Sequence, residues 1–309
     1  MASAVADDYV VDPKRDRLVI AASSLGTVFE WYDFFIYGTL AAIIGRLFFP
    51  AGHEAPQFLL ALASFAVGFG FRPLGAVVFG YLGGRLGRKY TFLITITLMG
   101  IATAGVGLVP SYATIGVAAP VILILLRIAQ GMALGGEYGG AAIYVAEHAP
   151  RNKRGQYTGF IQASVAGGFV LSLIVVLGSK LLVTDAQWAD WGWRIPFLFS
   201  LLLLAISLWM RLKLNESPVF QAMKAKGQLA KNPLKESFSD RKNVKLIMVA
   251  MLGIAAGLTV IWYTAMFQVL SFLQSALRVD ETTSQLLVGA GAAMGLFWFV
   301  FFGRLLRRG

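Results

Sequence analysis

Long apolar stretches constrain this sequence more than any other feature. Eight of them reach the length of about 20 residues that a helix needs to cross the hydrocarbon core of a bilayer. Lipid offers no hydrogen-bond partner to an open backbone, so each stretch is predicted to be a helix. They occupy residues 18–49, 57–83, 90–109, 114–145, 156–182, 193–212, 244–273 and 284–306.

The composition argues against a soluble protein. Hydrophobic residues make up 57% of the 309 residues and charged residues only 14%, whereas soluble domains carry about 25% charged residues. The absence of cysteine excludes disulfides and thiol catalysis, and His53 and His148 lie too far apart to suggest a metal site. The glycine-rich stretch 80–87 lacks the Lys-Ser/Thr ending of a nucleotide-binding loop. We therefore expect no enzyme, no cofactor and no metal.

The distribution of the 27 basic residues predicts the orientation in the membrane. Most of them lie before the first stretch and after the second, fourth, sixth and eighth stretches. The alternate loops hold only Arg46, Lys180, Arg194 and Arg278. Loops rich in Lys and Arg stay in the cytoplasm, so both termini are predicted to be cytoplasmic. The net charge of +11 is then a topology signal, and we expect a lipid bilayer rather than nucleic acid as the partner.

A polar break at residues 215–243 divides the chain. Residues 1–17 are predicted to be a cytoplasmic segment and residues 18–214 a bundle of six helices. The break itself is predicted to be a cytoplasmic linker, and residues 244–309 to be the first two helices of a second bundle. The predicted fold class is thus an all-α integral membrane protein. Its oligomeric state does not follow from the sequence, and we expect a monomer.

Away from the ends of the apolar stretches lie five charged residues: Glu30, Asp33, Arg72, Arg127 and Glu137. A charge at the centre of a membrane helix costs about 2.5–3.5 kcal/mol, so such residues usually pair, face the bundle interior and mark a pathway. Structural ion pairs are the alternative. Three carboxylates for two guanidinium groups leave one carboxylate to gain and lose a proton, as proton coupling requires. The arginines can also bind a substrate carboxylate through two parallel hydrogen bonds.

Helical spacing groups further polar side chains with these charges. Asp33 lies near the middle of its stretch and shares a helix face with Glu30 and Tyr37. Arg72 and Arg127 lie within about 4 Å of the middle of theirs, so an acid and two bases are expected in one layer. On the fourth stretch, Arg127, Gln130, Glu137 and Tyr138 form one polar stripe, and Gly131 and Gly135 predict close helix packing.

Several motifs resemble those of the major facilitator superfamily. The stretch 80–89, GYLGGRLGRK, resembles the signature loop of that superfamily. Arg127-x-x-x-Gly131-x-x-x-Gly135 is similar to its fourth-helix motif, and the stretch from Glu147 to Arg154 is similar to its partner loop. The stretches 29–34, 71–75, 130–140, 192–197 and 216–220 resemble the branch of metabolite:proton symporters, which carry organic acids and zwitterions.

The resemblance implies twelve helices in two six-helix halves, whereas this chain ends after eight. We therefore expect a complete first half and the beginning of a second, truncated one. The two loops are expected to form a cytoplasmic gate, with Gly84 where an acid is usual and Glu147 as a partial substitute. Trp262 and Tyr263 are expected to face the cavity from the second half. The gate residues are Gly80, Gly84, Arg85, Gly87, Arg88, Lys89, Glu147 and Arg154.

The leading hypothesis is a secondary active transporter, which couples protons to the symport of a small organic acid or zwitterionic metabolite across the inner membrane. In this hypothesis Asp33 and Glu30 carry the proton. Arg127 and Arg72 bind the substrate carboxylate or act in gating, as do Glu137, Tyr138, Gln130, Tyr37, Trp262 and Tyr263. Three alternatives stay open: a non-transporting truncated fragment, one part of a split transporter, and a solute uniporter or transporter-like sensor.

Overall fold

Helices make up nearly all of the computed structural model, which describes residues 13–49, 54–149, 153–213, 216, 218–227, 235 and 238–305. These residues contain no strand, as predicted for an all-α protein. The helices are α1 (Pro13–Thr39), α2 (Ala41–Phe48), α3 (Glu54–Gly70), α4 (Arg72–Leu86), α5 (Arg88–Leu108), α6 (Tyr112–Ile115), α7 (Ala118–His148), α8 (Arg154–Leu181), α9 (Asp185–Gln187), α10 (Arg194–Leu212), α11 (Pro218–Ala225), α12 (Arg241–Ser275) and α13 (Glu281–Leu305).

Seven helical segments of the described chain are long and apolar enough to cross a membrane. They are α3 with α4, α5, α7, α8, α10, α12 and α13. The 27-residue helix α1 has the length for a further span, but Glu30 and Asp33 lower its hydropathy. It packs against α7, α8 and α10 and so belongs to the same bundle. The prediction of a multi-pass helical membrane protein is confirmed.

We call the two ends of the bundle the basic end and the opposite end. The basic end holds Arg85, Arg88, Lys89 and Arg154, where α4, α5 and α8 end or begin. The opposite end holds Arg46, Lys180, Asp185 and Glu281. Residues 1–12, much of the linker 215–243 and residues 306–309 lie outside the described part of the chain.

Helix α7 lies at the centre of the bundle and contacts α1, α3, α4 and α5. A Cβ atom at Gly131 would collide with the carbonyl of Gly68, and one at Gly135 with the carbonyl of Arg72. Gly75 of α4 meets the backbone of Met132 in the same way. Helices α3, α4 and α7 therefore pack backbone against backbone, as the glycine spacing predicts.

Helices α8 and α13 pack against each other in antiparallel directions. At the basic end Gly303 approaches the backbone of Gly155, and at the opposite end Lys180 Nζ lies 2.9 Å from Glu281 Oε2. Just before α13, Asp280 Oδ1 accepts a hydrogen bond from the backbone N–H of Thr283 at 2.8 Å. Hydrogen bonds from Thr283, first from its side chain and then from this backbone N–H, favour the ionised carboxylate and lower the pKa of Asp280.

Helix α12 is the least covered of the long helices. It contains two π-helical segments, Val249–Ala255 and Thr264–Gln268, on either side of Ala256–Tyr263. Most of its apolar side chains are exposed, among them Leu252, Leu258 and Val260. The face of α12 that meets the first bundle combines aromatic side chains with Met266, Leu270 and Leu273.

Candidate functional site

Arg127 of α7 is fully buried in the centre of the bundle. Its guanidinium carbon lies 4.2 Å from the ring centre of Tyr37, 4.7 Å from that of Phe34 and 5.0 Å from that of Phe65. Aromatic rings attract a cation but carry no negative charge. Within the described part of the chain, Nε and Nη2 have no hydrogen-bond partner. The site therefore offers two free donors of a buried cation, a set that suits a carboxylate.

Two buried polar side chains hold Arg127 in place. Arg127 Nη1 donates a hydrogen bond to Gln130 Oε1 at 2.5 Å, and Gln130 Nε2 donates one to Thr103 Oγ1 of α5 at 2.7 Å. The amide oxygen of Gln130 must face the cation, so its amide nitrogen is directed at the threonine. Tyr37, whose ring lies against Arg127, forms a short hydrogen bond with the hydroxyl of Ser64 on α3.

Arg72 brings a second cation to the same place. It begins α4, where Pro73 interrupts the span because proline lacks a backbone N–H. Its guanidinium carbon lies 4.3 Å from the ring centres of both Phe34 and Phe69. The ring of Phe34 thus contacts the guanidinium groups of Arg72 and Arg127.

Helix α12 contributes Trp262 and Tyr263 to this site. Arg72 Nη2 donates a hydrogen bond to the Tyr263 hydroxyl at 3.5 Å. The Trp262 ring stacks on Phe35 of α1 at 5.2 Å, and the Tyr263 ring meets Phe69 edge-on at 4.9 Å. Trp262 and Tyr263 thus lie against aromatic side chains of the first bundle, and their role in a cavity stays a prediction.

Glu30 and Glu137 meet at a third arginine, Arg211. Arg211 Nη2 lies 2.7 Å from Glu30 Oε1 and also contacts Glu137 Oε1. Thr95 Oγ1 donates a further hydrogen bond to Glu137 Oε2 at 2.6 Å. The three charged residues are at most 3% exposed, so they form a buried ionic cluster between α1, α7 and α10.

The expectation of three buried carboxylates facing only two guanidinium groups was wrong. Arg211, at the end of the sixth stretch, was not counted among the charges of the interior, but it is buried in the last turn of α10. Its position supplies a third buried base for the three acids. A signal was present: Ser200, Ser207 and Arg211 recur at helical spacing on one face of α10, and all three are buried.

Asp33 is buried, yet it does not join the arginines that the sequence places in its layer. Ser200 of α10 lies beside Asp33. Asp33 Oδ1 has no hydrogen-bond partner in the described residues. Among these residues no ion pair joins Asp33 to Arg72 or Arg127. The single face expected on α1 is divided, because Asp33 faces α10 whereas Tyr37 faces α3 and α7.

The loop between α4 and α5 turns at Gly87, whose φ of 104° favours glycine. The backbone N–H of Lys89 donates to Glu216 Oε2 at 3.1 Å, and the Lys89 ammonium donates to the carbonyl of Leu212 at 3.0 Å. Glu216 thereby places a carboxylate at the first turn of α5, where negative charge is stabilising. This role of Glu216 was not predicted from the sequence.

The other predicted gate residues occupy the same end of the bundle. Gly80 and Gly84 lie on α4, Arg88 begins α5, and the exposed Arg154 begins α8. Arg85 donates to the Tyr81 hydroxyl at 2.8 Å. The side chains of Glu147 and Tyr138 lie outside the described part of the structure. The acid that the structure does place at this loop is Glu216.

A cavity of about 790 Å³ lies at the opposite end, between α1, α2 and α12. Its size is typical of small-molecule sites, which measure about 300–1,000 Å³. Tyr263 and Phe267 form part of its wall, and both also contact the arginine site, since the Phe267 ring lies 5.7 Å from Phe65. Its polar lining includes Arg46, Lys180, Asp185, Gln268, Gln274 and Glu281.

Comparisons with known proteins place this architecture among membrane transporters. The Shikimate transporter of Escherichia coli K12 is 46% identical over 216 residues, which are 70% of this chain and 49% of that protein. The Proline/betaine transporter of the same organism is 45% identical over 215 residues, 70% of this chain and 43% of that protein. A putative proline/betaine transporter of Staphylococcus aureus is 34% identical over 301 residues, 96% of this chain and 63% of that protein. The chain thus spans about half the length of the first two relatives.

Solved structures support the fold. The proton:xylose symporter XylE, bound to 6-bromo-6-deoxy-D-glucose, matches with a TM-score of 0.69 at 18% identity over 93% of this chain and 68% of that chain. An inward-open structure of XylE from E. coli matches with a TM-score of 0.61. At this identity the match establishes the major facilitator fold alone.

The model of one protein family, described as "Sugar (and other) transporter", matches residues 18–254. This family consists of transporters, which confirms that the chain is not an enzyme. Because the match covers most of the chain, the protein belongs to the sugar (and other) transporter family, with the fold of the major facilitator superfamily.

Proposed function

We propose that this chain serves proton-coupled symport of a small organic acid or zwitterionic metabolite across the bacterial inner membrane. The observation that carries the proposal is Arg127, a fully buried cation with two donor nitrogens free of partners in the described residues. A buried charge without a counter-ion costs several kcal/mol. A substrate carboxylate that forks onto the guanidinium would supply the missing charge.

The neighbourhood of Arg127 supports a carboxylate-bearing metabolite rather than a neutral sugar. Arg72 adds a second guanidinium beside Phe34, and Gln130 and Thr103 keep the first one in position. The aromatic rings of Phe65, Phe69 and Tyr263 can in turn accept an ammonium group. The names of the relatives, shikimate and proline/betaine transporters, fit an acid or a zwitterion with one carboxylate.

Asp33, together with Glu30, is proposed to carry the proton. Asp33 is buried and has no ion pair among the described residues. A neutral, protonated acid is much cheaper to bury than a charged one. The protonated and the ionised forms of Asp33 would therefore favour different packing of α1 against α10. Alternating access needs an element with two such states.

The cavity at the opposite end is proposed as the access route for substrate. Tyr263 and Phe267 lie between it and the arginine site. A substrate entering there would have to displace these two side chains before its carboxylate could reach Arg127. The basic end, with the loop at Gly87 and Glu216, would face the cytoplasm.

The test is uptake by the purified chain in proteoliposomes, with shikimate and glycine betaine as probes and an imposed proton gradient. We expect a gradient-driven uptake that Arg127→Gln and Asp33→Asn each reduce at least tenfold. Arg241→Gln is the matched control, because Arg241 lies exposed at the first residue of α12, away from the arginine site and the gate. Uptake that is indifferent to the gradient, or equal loss in the control, would overturn the proposal.

A second candidate is solute binding without transport. Helix α12 leaves most of its surface uncovered by the other described helices. Trp262 at the site allows binding to be followed by fluorescence. Saturable quenching that is lost in Arg127→Gln, without any uptake, would favour this second candidate.

A further inference from the structure

The ionic cluster of Glu30, Glu137 and Arg211 contains two carboxyl groups but only one guanidinium group. One guanidinium nitrogen, Arg211 Nη2, serves both carboxylates. All three side chains are buried. If both carboxylates were ionised, the cluster would carry one uncompensated negative charge in an apolar interior, which is strongly unfavourable.

Among the described side chains, no further cation forms an ion pair with these carboxylates. From α1 the nearby charged group is Asp33, another acid. From α5, Thr95 contributes a neutral hydroxyl, and the Phe92 ring centre lies 5.1 Å from the Arg211 guanidinium. Lys89 and Arg211 line one small pocket, but no ion pair joins Lys89 to either glutamate among the described residues, and its ammonium donates to the carbonyl of Leu212.

Each of the two carboxylates has one oxygen in a hydrogen bond. Arg211 donates to Glu30 Oε1 and Thr95 donates to Glu137 Oε2, and Arg211 also contacts Glu137 Oε1. In the described residues, Glu30 Oε2 and Glu137 Oε1 accept no hydrogen bond. Donors favour the ionised form of a carboxylate, and so few donors do not compensate two buried negative charges.

We infer that Glu30 and Glu137 form a carboxyl pair that holds one proton at neutral pH, with Arg211 as the residue that positions it. This is a proton-binding site separate from Asp33. The role of this site in transport rests on the proposed function. The proton proposed for Glu30 is here held by the pair of Glu30 and Glu137, not by Glu30 alone.

Arg211 also connects this proton site to the basic end. The carbonyl of the next residue, Leu212, accepts the hydrogen bond from the Lys89 ammonium. Glu216, four residues further on, accepts the bond from the Lys89 backbone N–H. A movement of Arg211 on loss of the proton would therefore reach the loop between α4 and α5 through two bonds to one lysine.

Infrared spectroscopy of the reconstituted chain in deuterated buffer tests the inference without any transport. Near pH 7, carboxyl groups in water, with pKa values of about 4, are ionised and give no carbonyl stretch of a protonated acid. We expect such a band from the buried pair. Labelling the glutamate carboxyl groups with ¹³C should shift it, and this needs no substitution that could impair folding.

Three substitutions then locate the proton. Glu30→Gln and Glu137→Gln should each abolish the glutamate band, because each leaves one carboxylate opposite Arg211 and the remaining pair is neutral when ionised. Asp33→Asn should leave that band in place. A band that does not shift with labelled glutamate, or that survives both glutamine variants, would overturn the inference. Failure of proton-driven uptake with the band intact would instead count against the proposed function.

Discussion

At the residue scale, Arg211 is the side chain whose loss should cost the fold most. Arg211→Met keeps much of the side-chain volume but leaves Glu30 and Glu137 without their shared cation. Removing one partner of a buried ion pair costs about 3–5 kcal/mol. We expect a fall of that size in the free energy of unfolding, measured by denaturant titration of the purified chain in detergent.

Lys213→Met is the matched control for Arg211. Lys213 lies two residues further along, is exposed, and holds its ammonium 3.6 Å from the Trp209 ring centre. Its loss should change the free energy of unfolding by no more than about 0.5 kcal/mol. Similar losses in both variants would show that Arg211 has no buried partners.

Thr103 should matter because it anchors Gln130, which in turn holds Arg127. Thr103→Val keeps the shape but leaves the buried Gln130 Nε2 without an acceptor, a loss of about 1–3 kcal/mol. Thr97→Val on the same helix is the control, since Thr97 bonds only to the carbonyl of Leu93 in its own helix. Both variants can be compared by thermal unfolding, and an equal effect would contradict the anchoring role.

The sequence located the buried charges at this scale but not their partners. Burial of Arg127 followed from its place in an apolar stretch, because a charge there has to face the interior. Pairing depends on which helix faces meet, and α1 divides its polar residues between two neighbours. Arg211 was misplaced because a basic residue near the end of a span is usually directed to the headgroups, whereas two buried acids attract this one inward.

At the scale of elements, the contact between α4 and α7 depends on glycine. Gly135→Ala would place a methyl group against the carbonyl of Arg72, and overpacking of this kind costs about 1–3 kcal/mol. Gly139→Ala on the same helix meets open space and should be neutral or stabilising by about 0.5–1 kcal/mol. Thermal unfolding of the two variants measures the difference, and equal melting temperatures would contradict the close packing.

The sequence predicted the helices better than their interruptions. Stretches of 20 or more apolar residues leave no alternative to helix in lipid. By contrast, a single residue, Pro73, interrupts the helix between α3 and α4. The π-helical segments of α12 are as apolar as their surroundings, so the hydropathy does not reveal them. These local features place Arg72 and Tyr263 within hydrogen-bond distance of each other, so they matter for the site more than the helix boundaries do.

At the scale of the whole molecule, contacts between distant parts of the chain join α8 to α13. Gly155 meets Gly303 at the basic end, and Lys180 meets Glu281 at the opposite end. The sequence could indicate a first bundle and a second one, because the polar stretch 215–243 separates them. It could not indicate which helices touch across that division, since neither pair of residues is distinctive before the fold brings it together.

The orientation of the molecule can be tested with single cysteines, because the natural chain has none. Leu182 at the opposite end is 81% exposed, and Lys226 lies exposed in the turn after α11. The excess of basic residues predicts that the end holding Lys226 is cytoplasmic. A membrane-impermeant maleimide should therefore label Leu182→Cys in intact cells, and Lys226→Cys only after permeabilisation. The reverse labelling pattern would show the opposite orientation in the membrane. Substrate would then enter the cavity beside Tyr263 from the cytoplasm.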